Sequence, residues 1–307
     1  MPLYGELIAI STVLCWTIST QFFEVASKRV GPIPVNIIRI MTALLFFFVI
    51  LIYQEGSPIP LNFPIHAWIW LSLSGVIGFF LGDIFLFKAF VEIGTRVTML
   101  IMSLSAPVAA ITGWMLLGET YSFHQWLGML VTIAGVSVVI LDRKPKKTGS
   151  SGNGKLKVRN ITVKGVLFAM GGMLGQAWGF VMSKTGMQVE SGYLDAFAAT
   201  EIRAIAACIC FILFFTFTGR WKQVGAAVRN RKALGFIIAG SAMGPVLGVS
   251  LSLLTLHYLS TGIASTILSL VPVFLIPFAV FIHKEHVSFR AVSGALLAVF
   301  GIYMLMG

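Results

Sequence analysis

Apolar residues fall along this chain in blocks close to 20 residues, the helix length that crosses roughly 30 Å of hydrocarbon. Breaks rich in Gly, Pro or charge separate ten such blocks, near residues 5–27, 34–53, 67–87, 97–117, 124–141, 164–184, 197–217, 233–256, 263–282 and 290–306. They predict ten membrane-spanning helices, span 1 to span 10, and an all-α membrane protein. One connection stands apart. Residues 142–163, with the run RKPKKTGSSGNGKLKVRN, are rich in Gly, Ser and Lys and show no apolar periodicity. They read as a flexible basic linker between two sets of five spans, residues 1–141 and 164–307.

Composition narrows the classes further. Charged residues make up 11% of the 307 and apolar residues 57%, where a soluble domain carries about 25% charged. Mean hydropathy is +0.93. A soluble enzyme, a coiled coil and a disordered chain are excluded. The net charge of +11 does not mark a nucleic-acid partner, because the basic residues sit in short loops rather than along one solvated face. Cys15, Cys208 and Cys210 lie inside apolar runs and form neither a disulfide framework nor a zinc spacing. The chain starts on an apolar segment without a basic n-region, so this reads as a first span, not a cleaved signal.

The two halves repeat at an offset of 164 to 166 residues. Asn36-Ile-Ile-Arg39 aligns with Thr200-Glu-Ile-Arg203, Gly78 and Gly82 with Gly244 and Gly248, Pro107-Val108 with Pro272-Val273, Glu119 with Glu285, and Gly128 and Gly135 with Gly294 and Gly301. Five spans is an odd number, so two directly joined copies lie in opposite senses across the bilayer. Charge tests this independently. The connections after spans 1, 3, 5, 7 and 9 hold 19 of the 22 Lys and Arg residues, while the remaining connections and the termini hold only Lys184. The repeat is inverted, as in many secondary transporters. The positive-inside rule places the linker in the cytoplasm and both termini outside.

These residues resemble the drug/metabolite transporter superfamily, and within it the ten-span EamA-type transporters. The resemblance rests on Trp16, Arg39 and Arg203, on Gly82-Asp83…Lys88-Ala89…Ile93-Gly94, and on Pro107-Val108…Leu117-Gly118-Glu119…Gly128…Gly135. The second half repeats the last of these as Gly262-Ile-Ala…Pro272-Val273…Glu285…Gly294…Gly301. The stretch Ser260-Thr-Gly-Ile-Ala is similar to the four-span small multidrug resistance proteins. The resemblance implies a basket of ten helices around a central cavity lined by spans 1, 3, 4, 6, 8 and 9. It also implies export or exchange of small metabolites without ATP. Two departures stand out: ten-span relatives commonly keep both termini in the cytoplasm, and Trp16 stands at about the depth of the small multidrug proteins' first-span carboxylate.

Charged side chains in mid-membrane cost about 2.5 to 3.5 kcal/mol each on insertion scales, so each needs a partner or a function. Glu24, Arg39 and Asp83 fall at similar depth on consecutive spans and predict a carboxylate–guanidinium network. Its two readings are an inner gate or proton site at Asp83 and a structural ion pair. Asp83 is present once in the duplication, because Val249 takes its place in the second half. Glu201 and Asp195 are expected beside Arg203. Arg39 and Arg203 read as anchors at helix starts or as guanidiniums facing a cavity, which would select anions. Glu119 and Glu285 are expected to cap spans 5 and 10 or to pair locally.

Pro107, Pro272 and Pro277 interrupt spans 4 and 9 and are expected to bend them. Trp16, Thr20 and Gln21 on span 1, Gln176 and Trp178 on span 6, and Ser103 and Ser269 on spans 4 and 9 are the candidates for lining a solute site. The competing readings are ordinary packing and hydroxyls bonded to their own helix. No hydrolase elbow, phosphate-binding loop or paired membrane aspartates appear, and His283-x-x-His286 beside Glu285 makes no metal motif. No enzyme activity, cofactor or metal is expected. The expectation is a secondary transporter of small organic solutes in the cell membrane, exporting amino-acid or drug-like compounds by alternating access. Lipid surrounds it and protons are a candidate coupling ion. A translocase of lipid-linked or anionic metabolites is the alternative.

Overall fold

The computed structural model of the chain describes residues 3–142, 162–281 and 288–306. Eight helices in it are long and apolar enough to cross a membrane: Tyr4–Val30, Pro32–Glu55, Ile65–Phe90, Val97–Leu117, Phe123–Leu141, Val163–Met187, Ala196–Thr218 and Arg231–Thr255. Two shorter apolar helices, Thr261–Pro277 and Phe289–Leu305, complete spans 9 and 10. The ten coincide with the ten apolar blocks to within a few residues. Residues 143–161 of the linker, and His283, Glu285 and His286, lie outside the described residues.

Local sequence sets the breaks. Spans 3 and 4 are parted at Gly94, whose φ of 81° lies in the left-handed region that residues with a Cβ seldom adopt. Pro32 opens span 2 at its first turn, where the absent N–H would have lacked a partner anyway. Two local elements have no signal in hydropathy. Strands β1 (Gln188–Val189) and β2 (Gly192–Tyr193) form a minimal antiparallel hairpin after span 6, with Gln188 opposite Tyr193. The helix Trp221–Arg229 follows span 7 and buries Val224 and Ala227 while exposing Lys222, Gln223 and Arg229. It turns the expected basic loop into an amphipathic surface helix.

Packing follows the duplication. Span 3 lies along span 6, and its repeat, span 8, lies along span 1. Span 4 meets span 6, and span 9 meets span 1. Three pairs are their own counterparts: 2 with 7, 4 with 9, and 5 with 10. This exchange pattern is that of an inverted repeat with its pseudo-twofold axis through the middle of the bundle. Spans 5 and 10 share the most extensive contact. A Cβ placed on Gly128 would meet the Gly301 carbonyl at 2.8 Å, and one on Gly301 would meet the Gly128 carbonyl at the same distance. Without lipid-excluding hydrophobic drive, such close approach is what holds membrane helices together. The glycine faces of spans 3 and 8 serve similarly: Gly78 and Gly82 pack on Gly179 and Gly175, and Gly240, Gly244 and Gly248 on Phe23, Ser19 and Trp16.

Candidate functional site

Each half departs from α-helix at two equivalent places. Residues Gly75–Gly82 of span 3 and Ala242–Gly248 of span 8 wind as π-helix, a rare geometry concentrated at functional sites. Asp83 directly follows the first π segment and Val249 the second. Spans 4 and 9 are broken: the helix stops at Met102 and restarts at Ser105, and it stops at Leu268 and restarts at Val271. The same tightened turn bridges both gaps, with the Leu104 amide donating to Ile101 O at 3.1 Å and the Leu270 amide to Ile267 O at 3.0 Å. Pro107 and Pro272 therefore sit in the first turn of a restarted helix, where a missing N–H is tolerated, rather than bending a continuous one. Pro277 lies inside the helix after the break. Sequence reading overlooked Pro245, which is inside the π segment of span 8.

Between these irregular segments lies a cavity of about 350 Å³, within the size range of small-molecule sites. It is walled by the mid-portions of spans 1, 3, 4, 6, 8 and 9, with Arg39 and Ile40 from span 2, Val136 from span 5 and Arg203 from span 7. Of the candidate lining residues, Trp16, Thr20, Ser103, Gln176 and Ser269 are on its wall. Gln21 and Trp178 are not, and Trp178 is 41% exposed on the outer surface of the bundle. Phe23, Phe79, Met99, Met102 and Phe180 complete the apolar wall. They were missed because an apolar residue facing a cavity and one facing lipid look alike in sequence.

The hydroxyls are half-committed. Thr20 donates to Trp16 O, Ser103 to Leu100 O and Ser269 to Thr266 O, each at 2.7 Å. Their protons are thus held by their own helices while lone pairs remain to accept. Ser103 and Ser269 stand at the two helix breaks, at matching places in the two halves. The Gln176 side chain makes no hydrogen bond among the described residues, leaving its amide free.

Charge in the wall is asymmetric. Arg39 is hydrogen-bonded and ion-paired with Asp83, and the Arg39 guanidinium carbon lies 5.7 Å from the Phe23 ring centre. Glu24 pairs with Lys28 one turn on, at 2.5 Å, with side chains 40% and 66% exposed. Arg203 is buried, and its guanidinium carbon lies 4.4 Å from the Phe79 ring centre, a cation–π contact. The expected acidic neighbours of Arg203 do not engage it. Asp195 accepts from the Ala198 amide at 2.9 Å and caps span 7. Glu201, two residues before Arg203 and so on another helix face, is fully buried with neither carboxylate oxygen hydrogen-bonded.

Glu119 also acts otherwise than expected. It caps neither span 5 nor its own half. Its carboxylate accepts from the Thr261 amide at 2.9 and 3.0 Å, the Thr261 hydroxyl at 2.6 Å, the Tyr121 hydroxyl at 2.6 Å and Lys184 Nζ at 2.8 Å. Lys184 donates also to Leu259 O at 2.8 Å. The first half thus caps the start of span 9 in the second. Burial raises the Glu119 pKa, but the hydrogen bonds and the ammonium outweigh it and hold the carboxyl below its ordinary value. Tyr121 is pushed up to about 12, by burial and then by its bond to Glu119.

Ten membrane helices in two inverted halves, with broken and π-wound segments around a mid-membrane cavity, have the build of a membrane transporter. A family comparison agrees. The EamA-like transporter family model matches residues 3–141 and 163–307, and the chain belongs to that family. A solved crystal structure shares the fold with a TM-score of 0.70, covering 99% of this chain and 96% of its own at 17% identity. No curated protein matches the sequence.

Proposed function

We propose that this protein is a secondary transporter that carries small organic solutes through its central cavity by alternating access, the two five-helix halves rocking about the site. The observation that carries the proposal is the pairing of helix breaks at Ser103 and Ser269 on opposite walls of one cavity. Non-helical backbone at membrane depth is tolerated where it is buried in protein or lines a cavity, and in transporters of inverted-repeat build such broken helices surround the solute site. The aromatic and thioether wall suits amino-acid or drug-like compounds with an apolar body. Trp16, Thr20, Ser103, Gln176 and Ser269 are the proposed contacts, and Arg39, Asp83 and Arg203 the charged groups that set polarity or coupling. Gln21, Trp178 and Glu24, off the wall or paired locally, have the smaller claim.

The direction proposed is export from the cytoplasm across the cell membrane, on the strength of family likeness. The 19 basic residues gathered in alternate connections support a cytoplasmic linker and outward termini. Protons acting on Asp83 are the proposed coupling ion. The test is counterflow in proteoliposomes, first screening purified protein for thermal stabilisation by a metabolite panel at two pH values, since a ligand specific to the folded state raises the midpoint. Solute-dependent counterflow supports the reading, and its absence for every stabilising compound overturns it. Asp83→Asn that leaves pH-driven uptake unchanged would end the proton role alone.

A further inference from the structure

The structure assigns a chemical class to the solute: we infer that Arg203 is the docking point for an oxyanion, a carboxylate or a phosphate, on the molecule that enters the cavity. This rests on the transporter reading and deepens it.

The described wall carries three charged side chains, Arg39, Asp83 and Arg203. Two of them cancel in the Arg39–Asp83 pair. Arg203 forms no ion pair among the described residues, and its Nε is buried without a partner. The cavity therefore holds one uncompensated positive charge. The duplication explains how it arose. In the first half the residue after the π segment of span 3 is Asp83, which neutralises the span 2 arginine; in the second it is Val249, which cannot neutralise the span 7 arginine although it too lines the cavity.

The remaining surroundings position the guanidinium rather than discharge it. Phe79, itself on the wall, lies against it and favours a cation without removing its charge. Gly75 of the span 3 π segment abuts the Arg203 backbone, and a Cβ on Gly78 would stand 3.4 Å from an Arg203 terminal nitrogen. A planar cation so fixed, weakly hydrated and with its fork free, is the group best matched to two oxygens of a carboxylate or phosphate. An unpaired charge at this depth is retained where it has a function. The apolar remainder of the wall would receive the body of the solute, and the free amide of Gln176 one of its polar substituents.

The experiment compares three probes of similar body on the purified full-length chain in lipid nanodiscs: 3-phenylpropanoate, its neutral amide, and phenyl phosphate. Binding is followed by calorimetry and thermal shift. At least one anion is expected to bind tenfold or more tightly than the amide, and whichever anion leads names the headgroup. Val249→Asp, which restores in the second half the acid present in the first, should bring that preference below twofold. Arg203→Lys should keep part of the preference, and Arg203→Gln none. Equal affinity for anion and amide in the unmodified chain overturns the oxyanion site, as does a preference that survives both Val249→Asp and Arg203→Gln. Either result leaves the transport reading standing if any solute shows counterflow. Absence of counterflow for all of them overturns that reading itself.

Discussion

Lys184 Nζ lies 2.8 Å from Glu119 Oε1, with both side chains about nine-tenths buried, and the pair joins span 6 to the turn before span 5 at the capped start of span 9. Removing one member leaves a buried charge alone, which typically costs roughly 3–5 kcal/mol. Glu119→Gln is therefore expected to lower the thermal midpoint sharply, whereas Glu119→Gln with Lys184→Met should recover much of the loss. Differential scanning fluorimetry in detergent on the four chains of the cycle checks this.

The same network sets a pH window. A carboxyl whose folded pKa lies below its ordinary 4.5 contributes stability above that value and loses it as the pH falls through the folded pKa. Tyr121 has the opposite sign: its folded pKa, near 12, exceeds the ordinary 10, so its contribution is complete below 10 and fades as the pH rises through 12. The midpoint should fall at both extremes. In Tyr121→Phe the alkaline part of the fall should be smaller.

Glycine substitutions should sort by contact. A Cβ at Gly135 would run into the backbone of Gly294 and Ala298, and one at Gly301 into Thr132. Overpacking of this kind costs typically 1–3 kcal/mol, so Gly135→Ala and Gly301→Ala should lower the midpoint. At Gly225 and Gly235, both helical, nothing lies within 4 Å, and alanine there should gain about 0.5–1 kcal/mol from reduced backbone freedom.

Asp83→Leu alone strands the Arg39 guanidinium and should reduce the folded yield severely. Asp83→Leu with Arg39→Met removes both charges and should restore folding, since a buried pair can often be replaced by apolar residues at little cost. Fluorescence-detected size exclusion distinguishes the cases. No recovery in the double variant would mean that neighbours other than this pair depend on Arg39.

At Glu201 the carboxylate is wholly enclosed without a donor, so a charge there would be costly. Glu201→Gln, nearly the same shape, should match or exceed the parent midpoint. A loss of more than about 1 kcal/mol, comparable to a made hydrogen bond, would contradict the packing described for span 7.

The spans were legible because apolar block length is a direct physical requirement of the bilayer, and the inversion was legible because 19 of the 22 Lys and Arg residues fall in alternate connections, with Lys184 the one basic residue in the others. The cavity's charged trio and five of seven proposed lining residues were also within reach, since a polar or deep aromatic residue in hydrocarbon needs a reason. What stayed hidden depends on rotation about a helix axis. Trp178 and Gln176 are two positions apart, one facing outward and the other facing the cavity, and nothing local distinguishes them. The π segments add or remove a fraction of a turn, so faces counted at 3.6 residues drift beyond Gly75. Glu119 was placed with its own half because sequence neighbours are the natural partners of a turn residue. Its donors on Thr261 come from the other half, 142 positions away.

The seam between spans 5 and 10 has a mechanical consequence. Where Gly128 faces Gly301 and Gly135 faces Gly294, main chain lies against main chain, flanked by the side chains of Leu305, Met304 and Val138. Such a contact resists sliding, because any shift along the axis drives carbonyls into neighbouring backbone. In the rocking motion proposed above the seam would be the fulcrum of the bundle, and the broken helices of spans 4 and 9, which pack against it, would carry that motion to the cavity.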